Sequence, residues 1–154
     1  MVKKGDILGE RSLINDEAAN LKATAINDME VCFIPRDEII NDLSKNPEFS
    51  MNVLKDLASS LKIADNFIVD MAQQTVKHRL AEMLLNLNKK FGTNRDNVLD
   101  IHLSREDIAN IIGTATESAI RLLSEFKKEE LILLKGKNIT LIDIPKLNKI
   151  AQGF

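Results

Sequence analysis

Cysteine and histidine are scarce in this chain of 154 residues: one of the former, Cys32, and two of the latter, His78 and His102. A single thiol closes no internal disulfide and supplies no cysteine-rich zinc or iron–sulfur site. Lone histidines are seldom ligands, so no metal site is expected. Cys32 sits in an apolar stretch and is expected to be a small core residue. Long apolar runs are missing too. None approaches the roughly 18 residues that cross a bilayer, and no charged–apolar–small secretory pattern opens the chain, so a cytoplasmic protein with no membrane partner is expected. Common catalytic motifs are absent: there is no Ser-His-Asp order, no H-E-x-x-H and no phosphate loop of the form G-x-x-x-x-G-K-[ST]. An enzyme is therefore the class these residues least support.

What is present is an ordinary globular composition, 44% hydrophobic and 29% charged, in a length that suits one domain or two small ones. The net charge of −2 hides an asymmetry: residues 1–74 sum to −5 and residues 75–154 to +3. The C-terminal half is the better candidate for meeting a polyanion, although +3 is also an unremarkable surface charge.

Residues 1–34 read as strands and turns. "KKGDILGE" sets Gly5-Asp6 and Gly9 around Ile7-Leu8, and "ATAINDMEVCFI" alternates into an apolar stretch with Asn27-Asp28 as a turn. Pro35 opens a short helix with acids in its first turn, and Asn46-Pro47 breaks it. A long helical pattern then carries Leu54, Leu57, Leu61, Ala64, Ile68 and Met71 at steps of 3, 4, 3, 4 and 3, the stripe of a coiled-coil seam. The same spacing also suits a helix packed within its own domain, and Val53 and Phe67 lie off the stripe where they can serve internal packing. "TVKHRLAEMLLNLNKKF" is a second helix stopped by Gly92, "GTNRDN" a loop, and "VLDIHL" a short alternating strand. "LILLKGKNITLIDI" reads as a hairpin, and "PKLNKIAQGF" as one or two final helical turns. The fold class is α+β.

The run "SREDIANIIGTATESAIRLL", residues 104–123, carries two helix-start signatures around one glycine. Ser104-Arg-Glu-Asp107 fits a capping box, with Leu103 and Ile108 placed as a hydrophobic staple; Thr114-Ala-Thr-Glu117 fits the box again. Gly113 can take the left-handed conformation that ends a helix. Two helices, about 105–112 and 115–127, are predicted. Ile108, Ile111 and Ile112 face inward from the first, Ala119, Leu122, Leu123 and Phe126 from the second, and Ala109 is small where they approach. This is a helix-turn-helix, and the hairpin makes it a winged one. Thr116, Glu117, Ile120 and Arg121 share the opposite face. In a DNA-binding unit that face enters the major groove, where arginine grips guanine and a carboxylate accepts from cytosine. Glu117 and Arg121 are also spaced as an ordinary i, i+4 surface pair.

These residues, with the "KGKNITLID" wing, resemble the DNA-binding domain of the Crp/Fnr family of bacterial transcription regulators. Upstream, "KKGDILGE" resembles the glycine–glutamate turn of that family's cyclic-nucleotide-binding β-roll, "IPRDEIINDLSKNPEF" its short helix and the step into the long dimerisation helix, and "HRLAEMLLNL" the first helix of the DNA domain. The resemblance implies a partial β-roll with its short helix over 1–46, a dimerisation helix and hinge over 47–74, and a winged helix-turn-helix over 75–154. It implies a homodimer on double-stranded DNA, reading an inverted repeat, with RNA polymerase as a further partner. Glu117 and Arg121 match the family's base-reading glutamate and arginine; Thr116 stands where cyclic-AMP-binding members carry another arginine. Ser104, Arg105, Lys135 and Lys137 are the expected phosphate contacts, and Leu54, Leu57, Leu61, Ala64, Ile68 and Met71 the dimer interface.

Three departures qualify the resemblance. It begins mid-domain, which reads as a member or fragment lacking the first roll strands. Gly9 and Glu10 remain as a weak effector site, but the phosphate-gripping Arg-Ser pair falls at Ala19-Asn20, and the adenine-facing positions at Ala64 and Asp65. Cyclic AMP is therefore not expected, and the effector and any cofactor stay unknown. An oxygen-sensing cluster needs more cysteines than Cys32, and His78 and His102 lie in the DNA-binding half, away from a haem site. The rival from another class is an interaction module whose exposed half-roll and long helix bind a partner protein.

Overall fold

The computed structural model describes residues 2–26 and 28–153. The chain divides into two compact units, 1–67 and 68–154, with the boundary inside its longest helix. In order, the elements are α1 (Glu10–Asn15), α2 (Arg36–Lys45), α3 (Pro47–Gln73), α4 (Val76–Phe91), α5 (Arg105–Ile112), α6 (Thr116–Lys128), β1 (Ile132–Lys135), β2 (Asn138–Leu141) and α7 (Ile144–Ala151).

In the first unit, the strands expected over 1–34 are not formed among the described residues. Gly9, left-handed at φ 96°, instead precedes the six-residue α1, and the run beyond it is extended or irregular chain. The physical reason is pairing: an alternating segment becomes a strand only when another lies alongside to share its backbone bonds. Cys32, expected in a core, is exposed for the same reason. The Asn27-Asp28 turn falls partly outside the described residues. Acids at Asp37 and Glu38 and a base at Lys45 suit the dipole of α2. Asn46 ends α2, and its side chain accepts from the Phe49 N–H at 3.0 Å, so the predicted break is also the cap of α3. Val53 is buried as expected, while Phe67 is half exposed rather than packed.

The second unit holds the main core. Leu80, Leu84, Ile108, Ile112, Leu123, Phe126, Leu131, Ile132 and Leu147 are all essentially removed from water. Thr75 caps α4 through its hydroxyl and Gly92 ends it. The hairpin pairs Ile132 with Leu141 through Lys135 with Asn138. Gly136 takes the first turn position at φ 61°, which a two-residue hairpin loop of the II′ kind requires. The expected strand "VLDIHL" is reduced to bridges, Thr93 to Leu99 and Val98 to Thr140, yet its alternation holds in burial: Leu99, Ile101 and Leu103 point inward. α7 is capped by Asp143, whose carboxylate accepts from the Lys146 N–H, and buries Leu147 against α4.

Candidate nucleic-acid interface

The first helix of the pair is fastened at both ends. Ser104 Oγ accepts from the Asp107 N–H at 3.0 Å, and Asp107 Oδ2 accepts from both the backbone N–H (2.9 Å) and the hydroxyl (2.6 Å) of Ser104. These bonds, the hydroxyl's first, hold the Asp107 carboxyl below the usual aspartate range, with the Lys137 charge adding to the effect. At the far end Gly113 is left-handed at φ 63°, and the Thr114 N–H reaches back to the Ala109 carbonyl, closing a Schellman turn. Ala109 is buried where α5 meets α6, as its size predicts.

The second start differs from expectation. α6 begins at Thr116, with Ala115 rather than Thr114 in the cap position and no side-chain bond to the cap. The Schellman turn takes up Thr114, so the second capping box does not form. Among the described residues, the first N–H groups of α6 thus have no side-chain acceptor.

Ala119, Leu123 and Phe126 bury one face of α6. Glu117, Ile120 and Arg121 stand exposed on the other, Ile120 at 45%, with Thr116 half buried at its edge and Ser124 extending it. Neither Glu117 nor Arg121 makes a hydrogen bond or ion pair among the described residues, so the i, i+4 pair is not formed.

The four expected phosphate contacts come from two places in the chain, and the fold brings them to one edge. Arg105 Nη2 donates to the Gly136 carbonyl at 2.8 Å, joining the start of α5 to the wing turn that carries Lys135 and Lys137, both exposed. Arg105 Nη1 is buried without an acceptor. The Ser104 hydroxyl is committed to its cap.

The remaining candidates lie elsewhere. On α3, Leu54 (58%), Leu61 (63%) and Ile68 (66%) are exposed, Leu57 is half buried and Ala64 exposed. Met71 is engaged within the second unit, its methyl lying 2.6 Å from where a Cβ on Gly113 would stand. Gly9 and Glu10 form the start of α1; Arg11 Nη2 donates to Asn20 Oδ1 at 3.2 Å. His78 is half buried on α4 and His102 exposed. No group of three or more His, Cys, Asp or Glu among the described residues is placed to hold a metal, and no described helix is long and apolar enough to cross a membrane.

Two sets of contacts had no signature in the sequence. Lys77 bonds to Glu125 and, at 3.1 Å, to Glu129, and lies 5.8 Å from the Phe126 ring, tying α4 to α6. The bond to Glu125 raises the Lys77 pKa and lowers that of Glu125. Among the described residues, the Arg79 side chain bonds to three backbone carbonyls and to no side chain. Neither residue repeats at a spacing that marks it beforehand.

A capped helix, a glycine turn, a second helix with one apolar face, and a two-stranded wing define a winged helix-turn-helix protein. A family model described as the Crp-like helix-turn-helix domain matches residues 78–150. The chain is 29% identical over 149 residues to the CRP-like cAMP-activated global transcriptional regulator of Mycobacterium tuberculosis, covering 96% of this chain and 66% of that protein. It is 31% identical over 150 residues to the fumarate and nitrate reduction regulatory protein of Vibrio cholerae, covering 96% and 59%. Among solved structures, a CooA variant from Carboxydothermus hydrogenoformans matches with a TM-score of 0.65 at 26% identity, over 75% of this chain and 54% of that one. FixK2 from Bradyrhizobium japonicum shares the fold with a TM-score of 0.70 at 19% identity, over 76% and 59%. Residues 78–150 thus carry a Crp-like helix-turn-helix domain, and the chain as a whole is similar to transcription regulators of the Crp/Fnr family. It spans about two thirds or less of the length of these curated relatives.

Proposed function

We propose that this chain is a sequence-specific DNA-binding regulator that reads an inverted repeat as a homodimer. One observation carries the reading: the outer face of α6 presents Glu117, Ile120 and Arg121 to solvent, with no side-chain hydrogen bond or ion pair from Glu117 or Arg121 among the described residues, while the same helix buries its other face in the core. Arg121 would grip guanine, Glu117 accept from a cytosine amino group, and Ile120 touch a thymine methyl, with Thr116 at the edge of the same face. Lys135 and Lys137 would meet the backbone from the wing, with Arg105, bonded to the Gly136 carbonyl, and Ser104, committed to its cap, fixing that edge in place.

Residues 47–74 serve as dimerisation helix and hinge, 1–46 as part of a sensing domain, and 75–154 as the DNA-binding domain. The exposed stripe of Leu54, Leu61 and Ile68 supports pairing with a second copy, with Leu57 and Ala64 beside it. Two recognition helices would then sit about one DNA turn apart, roughly 34 Å. The setting is the cytoplasm, with RNA polymerase as a second partner. The effector is not cyclic AMP: Ala19 supplies no charge for a phosphodiester, and Asp65 would repel one. A second reading, a module that binds another protein, draws on exposed apolar residues of the first unit such as Phe33, 87% exposed.

Selection of binding sites from a randomised duplex pool separates the two. Enrichment of an inverted repeat establishes the regulator. A folded dimer that enriches nothing, with the segment 75–154 equally inactive, favours the protein-binding module.

A further inference from the structure

The junction between α3 and α4 is two residues long, Gln74 and Thr75. One side chain, Arg79, holds it. Its Nη1 donates to the Gln74 carbonyl at 2.6 Å, its Nε to the Ile112 carbonyl at 2.8 Å, and its Nη2 to the Gly113 carbonyl at 3.4 Å. The last two carbonyls belong to the end of α5 and to the turn that aims α6. Met71, from the last turn of α3, closes on the same glycine: a Cβ built at Gly113 would lie 2.6 Å from its Cε and 2.7 Å from its Sδ. Gln74 is itself anchored to α3, its N–H donating to the Asp70 carbonyl and its Nε2 to Asp70 Oδ1, both at 2.9 Å.

We propose that Arg79 is a positioning residue that couples the end of α3 to the recognition helix, by clamping the α3–α4 junction and the α5–α6 turn to one guanidinium. The planar fork serves three acceptors in fixed directions, which a lysine ammonium on a flexible stem does not. A displacement of the last turn of α3 is thereby carried to the turn at Gly113 through the Arg79 bonds and the Met71 contact. Arg79 itself reads no base and meets no phosphate. The inference rests on the DNA-binding reading for its consequence, but the clamp is a property of the free protein.

The test uses the full chain in two arms. In the first, amide hydrogen exchange of the free protein is compared between wild type, Arg79→Met and Arg79→Lys. Protection over 112–116 should fall in Arg79→Met, with Arg79→Lys between, while amides of α7 and the hairpin keep theirs. In the second, affinity of the folded protein for a selected duplex should weaken by about 2- to 30-fold in Arg79→Met, the range of a coupling residue away from the ligand. The salt dependence of binding should be unchanged, because no phosphate contact is lost. Met71→Ala should weaken binding in wild type and add nothing to Arg79→Met. A residue that only stabilises the fold would lower the melting temperature and leave the affinity of the folded fraction intact. Unchanged protection at 112–116, or independent effects of Met71 and Arg79, overturns the proposal. If wild type binds no duplex, the DNA-binding reading fails and the exchange arm alone decides the clamp. If Arg79→Met does not fold, Arg79→Lys is read by the same criteria.

Discussion

Glu82 is a carboxylate whose surroundings oppose its charge. Burial on α4 raises its pKa first and the nearby Asp70 charge raises it further, against a lowering hydrogen bond from Gln74. A raised carboxylate contributes stability that is present below its ordinary value of 4.5 and is lost as pH rises through the folded value. Glu82→Gln should therefore raise the melting temperature at pH 7, and the gain should vanish in melts below about pH 4.5. A melting temperature at pH 7 equal to or below that of wild type would refute the assignment. Asp107 has the opposite sign: its lowered pKa gives stability above the ordinary aspartate value that disappears as pH falls through the folded one. At this scale Ser104 and Asp107 were legible in the sequence, because a capping box is a local pattern. Arg79 and Lys77 were not, because their partners lie 33 and 48 residues away at the first bond of each.

The elements were most legible where their pattern closes on itself. α4, α5, the hairpin and the left-handed Gly113 follow from spacing, caps and turn residues within the segments concerned. The strands of 1–34 did not follow, since alternation says which face is apolar but not whether a neighbour is there to pair. The start of α6 shifted by one residue because the Schellman turn and a second capping box compete for Thr114. α3 presents its stripe to solvent, with Leu61 at 63%. If that stripe is a dimer seam, Leu61→Glu places two carboxylates against each other across it. Sedimentation of the full chain should then show a dimer for wild type and a monomer for the variant, with helical content retained by circular dichroism. A wild type that sediments as monomer, or a variant still dimeric, would contradict the assignment.

For the whole molecule, charge, exposure and core point to one division of labour. The second unit keeps an apolar core and turns the Glu117, Ile120 and Arg121 face of α6 and a cationic wing outward; the first unit and α3 carry most of the exposed apolar residues, which fits the proposed pairing. Composition alone left this open, since a net +3 over 75–154 fits a soluble surface as well as a DNA-binding one. The fold adds what composition lacks, since it sets Arg105 against the wing turn between Lys135 and Lys137 and so supports the proposed reading. The measurement that tests the central claim most directly is a titration of a selected inverted-repeat duplex, and of single-base variants of it, with wild type and Arg121→Ala at two salt concentrations. The account predicts two chains per duplex and binding that weakens as salt rises. It predicts that Arg121→Ala loses about 1–3 kcal/mol of discrimination at one symmetric pair of positions and leaves the salt slope in place. Discrimination unchanged at every position in Arg121→Ala, or wild-type binding indifferent to sequence, would contradict it.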